Sequence, residues 1–185
     1  MEELFADARD RMDKAVDALK REFAKIRTGR ATVSLLDGIR VDYYGNVSPI
    51  RQVANISVPE ARLLVIQPWD KKIIGDIEKA ILSADLGLNP SSDGNLIRVP
   101  IPPLTEERRK ELVRYVHKLA EEGRVAIRNV RRDVNESLKQ KQKDGEISED
   151  EFHRAHDKTV QELTDEHIHE VDHVLAAKER ELMEV

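Results

Sequence analysis

Residues 101–145 read IPPLTEERRK ELVRYVHKLA EEGRVAIRNV RRDVNESLKQ KQKDG, and this stretch decides the fold. Pro102 and Pro103 bar a helix from starting earlier, and Thr105 is of a type suited to the cap. Leu112, Val116, Leu119, Gly123, Ile127, Val130, Val134 and Leu138 then recur at steps of three and four. One long helix is predicted, stopped by Lys143-Asp144-Gly145. At 1.5 Å per residue such an element is roughly 40–60 Å long, and its apolar stripe needs partners laid lengthwise.

Both flanks supply them. Upstream, Phe5, Met12, Leu19 and Ile26 recur every seven residues, with Val16 and Phe23 between, as in the seam of a helix packed along others. Downstream, Ser148 and Glu151 have the spacing of a capping box, and Phe152, Val160, Leu163, Val171, Val174 and Leu182 line one side of a last helix. The short link through Gly145 makes the last two helices antiparallel. Residues 1–30 with 105–185 are therefore expected to form a three-helix bundle.

The middle is of another kind. All seven prolines lie between Pro49 and Pro103, and six of the eight glycines lie between Gly29 and Gly94. Ile39, Val41 and Tyr43 alternate with Arg40 and Asp42, and Gly45-Asn46 turns the chain toward Val47–Ile50, which reads as a hairpin. Tyr43-Tyr44 is read as strand core and edge. Val53–Val58 and Leu63–Gln67 read as strands around Pro59-Glu60-Ala61. A helix from a cap at Asp70 to Ser83, with Ile73, Ile77 and Ile81 inward, precedes a last strand over Gly94–Val99. The fold class is α+β with two domains: the bundle, and an inserted β/α/β domain over 31–104. Two chain crossings make a hinge near 30–31 and 103–105, that is Arg30 and Ala31 on one side, Pro103, Leu104 and Thr105 on the other.

Composition agrees. The 185 residues are 36% charged, 39% hydrophobic and only 4% aromatic, which suits long amphipathic helices. No run of about 18 apolar residues occurs, and the opening Met1-Glu2-Glu3-Leu4-Phe5 lacks the basic and apolar regions of a secretion signal. Zero cysteines exclude disulfides and thiolate sites and fit a reducing compartment, so a cytoplasmic location and no membrane association are expected. The net charge of −5 conceals an asymmetry: residues 105–143 carry 12 Lys/Arg against 7 Asp/Glu, whereas residues 144–185 carry 4 against 14. The basic third segment keeps nucleic acid in play, because phosphate affinity follows local clusters of Lys and Arg.

Two constellations carry possible chemistry. His169-Glu170-Val171-Asp172-His173 is a literal H-E-x-x-H, whose histidines sit one turn apart on a helix. After His173 no further histidine follows, leaving Glu179, Glu181 and Glu184 as third-ligand candidates, and the helical wheel turns His169 and His173 away from Val160, Val171 and Val174. A solvated helix face is the expected state, with no metal and no cofactor. His153, His156 and His167 are likewise assigned to the helix surface or its flank. The second constellation is Arg124-Val125-Ala126-Ile127-Arg128-Asn129-Val130-Arg131-Arg132-Asp133. With Ile127 as reference, Arg131, Arg124 and Arg128 fall about 40°, 60° and 100° round the helix, a ridge beside the core stripe. The planar guanidinium fork matches a phosphate, so a rigid helix carrying several can grip an RNA backbone. With Glu121, Glu122, Asp133 and Glu136 nearby, the same ridge also reads as a salt-bridged solvent face. Arg27 and Arg30, one turn apart at the end of the first helix, extend the basic set. Gly-rich phosphate loops, nucleophile triads and aromatic stacking platforms are missing from the sequence.

Six ordered blocks give the chain an end-to-end resemblance to the bacterial ribosome recycling factor family. They are residues 25–31 (KIRTGRA), 35–38 (LLDG), 43–45 (YYG), 85–90 (DLGLNP), 97–110 (IRVPIPPLTEERRK) and 125–132 (VAIRNVRR). The resemblance implies an L-shaped protein, a monomer and not an enzyme. Its partners would be the 70S ribosome, through large-subunit 23S rRNA, and elongation factor G, whose GTP cycle would drive separation of the subunits and release of mRNA and tRNA after termination. It assigns rRNA binding to arginines of the bundle motifs, here Arg27, Arg30, Arg109, Arg128, Arg131 and Arg132, and turns the smaller domain toward the GTPase. A plant or mitochondrial relative would be expected to carry a transit peptide, and none is seen. Two other readings stay open: a coiled-coil adaptor with generic RNA binding, which leaves the proline-rich insert unexplained, and a zinc hydrolase, which accounts for five residues.

Overall fold

A computed structural model describes residues 1–184 and separates them into two compact units, Met1–Ile26 with Glu106–Glu184, and Arg27–Thr105. The helices in chain order are α1 (Glu2–Ala24), α2 (Ile74–Ser83), α3 (Glu106–Lys143), α4 (Glu149–Arg154) and α5 (Gln161–Met183).

The first unit is a bundle of α1, α3 and a rod running from α4 into α5. Its core follows the predicted stripes: Met12, Val16, Leu19 and Phe23 from α1, Leu112, Val116, Ile127, Val130, Val134 and Leu138 from α3, and Leu163, Val171 and Leu182 from α5 are all buried, with Leu175 buried in place of the expected Val174, which is only partly so. Each large aliphatic side chain removed from water contributes about 1.5–3 kcal/mol, the main term holding the helices together. Cross-helix pairs fix the directions. Arg11 meets Asp133 at 2.8 Å, while Leu19 lies against Gly123, so α1 and α3 run antiparallel. Arg124 meets Asp172 and His117 meets Glu179, so α5 runs antiparallel to α3. Arg9–Glu166 and Lys20–Glu170 then join α1 to a parallel α5.

The link between α3 and α4 is closed at both ends. Gly145 has φ +73°, and the Gly145 and Glu146 N–H groups donate back to Gln142 and Lys141, a glycine-terminated Schellman stop. Ser148 and Glu151 form the predicted capping box, each side chain accepting from the other's backbone N–H. The rod then departs from a continuous α-helix, because Ala155–Val160 is a π turn. Ala155 and Val160 are both buried although five residues apart; an α-helix would leave them about 140° apart, and the wider π turn brings both inward.

A second difference concerns His167, which lies inside the bundle with only 2% of its surface exposed. It sits four residues from both Leu163 and Val171, on the inner stripe. Its Nδ1 is 2.7 Å from the Leu163 carbonyl and its Nε2 2.6 Å from the Asp13 carboxylate, so both nitrogens donate only when the ring holds two protons. Thr164, also buried, donates to the Val160 carbonyl at 2.7 Å.

The second unit holds β1 (Arg40–Tyr43), β2 (Asn46–Pro49), β3 (Ala54–Glu60), β4 (Leu63–Pro68), β5 (Ser91–Ser92) and β6 (Ile97–Pro100). β1 and β2 form a two-stranded ribbon, and the others an antiparallel sheet in the order β3-β4-β6-β5. Leu36, Val41, Leu64, Ile66, Ile77, Ile81, Ile97 and Val99 form its core. Asp70 caps the turn leading to α2, its carboxylate accepting from the Lys72 N–H at 2.9 Å. The hairpin turn is Tyr44-Gly45, not Gly45-Asn46: both residues have positive φ, +50° and +86°, as a tight two-residue turn requires. Tyr44 is therefore an exposed turn residue, not a strand edge, and Tyr43 is exposed at the end of β1 rather than in the core. β5 is an element that the sequence pattern did not suggest.

The division between units falls at Ile26/Arg27 and Thr105/Glu106, so Arg27 and Arg30 belong to the second unit rather than to the bundle. Helix α1 ends at Ala24, and Gly29 takes φ +76° with Leu104 so close that a Cβ would stand 3.1 Å from the Leu104 backbone nitrogen. Ala31 is buried and its N–H donates to the Ala61 carbonyl at 2.8 Å. These contacts make Ala31 and Leu104 packed parts of the second unit, with the crossings a few residues nearer the bundle.

Candidate nucleic-acid interface

Of the seven arginines singled out in the sequence, three come together. Arg128, Arg131 and Arg132 line an open cavity of about 400 Å³ on α3, together with Asn129, Asn135 and Glu136. Lys139 and His156 complete its wall. Lys139 lies seven and eight residues beyond Arg132 and Arg131, two helical turns on, and helix spacing alone would have found it. His156 comes from the π turn of the neighbouring rod.

The three arginines differ in their engagements. Arg128 reaches Glu121 at 3.2 Å, a pair exposed enough for a stronger anion to replace. Arg132 donates to the Asn129 amide oxygen at 3.2 Å and has no carboxylate partner among the described residues. Arg131 is half-buried, its stem against the core flank, and has neither a hydrogen bond nor an ion pair among the described residues. Such an arginine keeps its five N–H donors for an external acceptor.

Arg124 stands apart. Its Nε and Nη2 donate to the same Asp172 oxygen at 2.9 and 2.6 Å, and its Nη1 to Glu121 at 3.1 Å. Its side chain is only 19% exposed. Burial opposes its charge, but the hydrogen bonds it donates to Asp172 and Glu121 outweigh that and hold its pKa above the ordinary arginine value. The same contacts, from Arg124 first and Arg128 second, push the Glu121 carboxyl below its ordinary range. Arg124 is thus a tie between α3 and α5.

The remaining arginines lie elsewhere. Arg109 is in the first turns of α3, its Nε buried without a partner among the described residues. Arg27 donates to the Leu86 carbonyl within the second unit, and Arg30 is exposed in the same segment.

The H-E-x-x-H residues do not line the arginine cavity. His169 and His173 are exposed on α5. Glu170 pairs with Lys20 at 2.9 Å, and Asp172 holds Arg124, so the acidic members of the string tie α5 to its neighbours. Among the described residues no three His, Asp or Glu side chains are grouped to hold a metal ion. No helix among them is long and apolar enough to cross a membrane.

Comparison with known proteins bears on this surface. Residues 19–183 match the model of the family described as ribosome recycling factor. The ribosome-recycling factor of Desulforamulus reducens is 58% identical over 185 residues, covering 100% of both chains. That of Bacillus subtilis is 57% identical over 183 residues, covering 99% of this chain and 98% of its own. A solution structure of the ribosome recycling factor superposes with a TM-score of 0.77 at 49% identity, over 100% of this chain and 97% of that one. A second solved chain gives a TM-score of 0.65 at 47% identity, over 99% and 98%. It comes from models for the T. thermophilus ribosome recycling factor and the E. coli elongation factor G bound to the E. coli post-termination complex. A mixed helix-and-sheet fold, and relatives matched over nearly their whole length, leave one assignment: the chain belongs to the ribosome recycling factor family.

Proposed function

We propose that the chain recycles ribosomes: it binds the post-termination 70S ribosome and, with elongation factor G and GTP, separates it into subunits, releasing mRNA and tRNA. The bundle is the part that holds 23S rRNA, and the observation that carries this is the cluster of Arg128, Arg131 and Arg132 around one cavity, with Arg131 unshared. Lys139 adds a fourth cation to the same wall. Family membership and the likeness to a chain solved with elongation factor G on a post-termination complex support the wider reading.

The role is mechanical. Binding, orientation and transmitted force are what this chain supplies, with no catalytic group of its own, no cofactor, and work drawn from the partner's GTP cycle. The second unit, 27–105, faces the GTPase and pivots where the chain crosses at Ile26–Arg27 and Thr105–Glu106. The protein acts as a monomer in the cytoplasm, where its ribosomes are.

The test is light scattering of post-termination 70S complexes mixed with the protein, elongation factor G and GTP. Scattering should fall as subunits part, and the fall should need all three components. Unchanged scattering with a well-folded protein would refute the reading.

A further inference from the structure

The wall of the arginine cavity facing α3 contains one group of a different chemical kind. Arg128, Arg131, Arg132 and Lys139 present only donors, which is all that phosphate oxygens need. His156 is delivered to the same cavity by the π turn, with 38% of its side chain exposed. Its Nδ1 lies 2.7 Å from the Asp157 carboxylate, and its ring leans on Phe152, centroids 5.4 Å apart. A carboxylate can only accept there, so Nδ1 carries the hydrogen and Nε2 of the neutral ring carries the lone pair. Nε2 has no partner among the described residues. The other acceptors on the wall are engaged or unsuitable. Asn129 accepts from Arg132, the Asn135 oxygen is turned inward and buried, and the negative charge of Glu136 is repelled by phosphate.

A donor-lined cavity with one fixed neutral acceptor fits a ligand that offers phosphate oxygens and, beside them, a hydroxyl hydrogen. RNA has that pair: the 2′-hydroxyl stands next to the backbone phosphates in the open minor groove and is what distinguishes RNA from DNA. We propose that His156 Nε2 accepts a hydrogen bond from a ribose 2′-hydroxyl while the arginines hold the neighbouring phosphates, so that His156 makes the site selective for RNA. His156 also lies within the π turn, an irregularity that is frequent at functional sites. This inference rests on the reading that the cavity binds RNA.

The experiment compares the full-length protein's affinity for one RNA hairpin with that for the same hairpin carrying 2′-fluoro sugars throughout. Fluorine keeps the A-form and the phosphates but removes the donor. Wild type should bind the unmodified hairpin about fivefold more tightly, the effect of one hydrogen bond. His156→Phe keeps the ring packing and should bind both hairpins alike, with the salt dependence unchanged. His156→Gln retains an acceptor and should recover part of the preference, which a packing role would not do. Arg131→Ala should weaken both hairpins by the same factor and lower the salt slope by about one. A wild-type ratio of one, or a wild-type ratio retained by folded His156→Phe, overturns the role of His156. Absence of salt-dependent binding to either hairpin would instead overturn the RNA-binding reading and this inference with it.

Discussion

Arg124 and Arg131 lie two turns apart on one helix, beside the same apolar stripe, yet the structure uses them oppositely. Near Arg124 the neighbouring helix presents Asp172, and the guanidinium is drawn into a part-buried pair. Near Arg131 the neighbouring rod has passed into the π turn and presents His156, with no carboxylate in reach of Arg131. Position relative to the core made both arginines look alike in sequence; what the facing element offers decides which one is a tie and which keeps its donors open. The same contrast recurs on α5, where His167 is buried against Asp13 and His173, six residues on, is exposed.

The contrast can be broken first at His167. Truncation to alanine opens a cavity in the bundle and removes the side-chain partner that His167 gives Asp13. His167→Ala should cost about 2–4 kcal/mol in denaturant unfolding. A value below about 0.5 kcal/mol would return His167 to the surface class.

Next in size is Arg124→Ala. Loss of the tie leaves Asp172 without its cation and Glu121 with Arg128 alone, and the pair is neither fully exposed nor fully buried, so about 1–3 kcal/mol should be lost. At temperatures where the variant stays folded, its ribosome affinity in co-sedimentation should be near wild type. A binding defect without a stability defect would place Arg124 with Arg131 instead.

His173→Ala sharpens the comparison from the other side. An exposed helix position with a good helix former in place should shift stability by less than about 0.5 kcal/mol and leave ribosome binding unaltered.

The smallest effect is acid sensitivity. Arg124 and Arg128 hold the Glu121 carboxyl below its ordinary value near 4.5, and the Ser148 backbone N–H does the same to Glu151 in the capping box. A carboxyl whose folded pKa is depressed adds stability above its unfolded value and loses it as pH falls through the folded one. Thermal midpoints should therefore decline on acidification below about pH 4.5, and slightly less steeply in Glu121→Gln.

Much of this molecule was legible in the sequence because long helices repeat their message. The stripes of α1 and α3, the glycine stop at Gly145 and the Ser148–Glu151 box each rest on contacts within a few residues, and local rules capture them. What escaped was set by the facing element or hidden by residue type. His167 keeps the four-residue spacing of Leu163 and Val171, but a histidine is not counted as core until Asp13 is seen opposite. The π turn at Ala155–Val160 left no sign in the spacing of Phe152, His156 and Val160, which is that of an ordinary α-helix, and His156 joined the arginines only through the packing of the rod on α3. For the site itself, Arg128, Arg131 and Arg132 were found from the wheel and the motif together, whereas the pairing of Arg124 depended on Asp172, 48 residues away.

The most direct measurement is binding of Arg131→Ala to large ribosomal subunits across a salt series, with thermal unfolding recorded in parallel. Alanine is at least as good a helix former as arginine, so the unfolding midpoint should stay near wild type. Affinity should fall, and the slope of log affinity against log salt should decrease by about one, as for the loss of one phosphate contact. Wild-type affinity and slope in a folded Arg131→Ala protein would contradict the account.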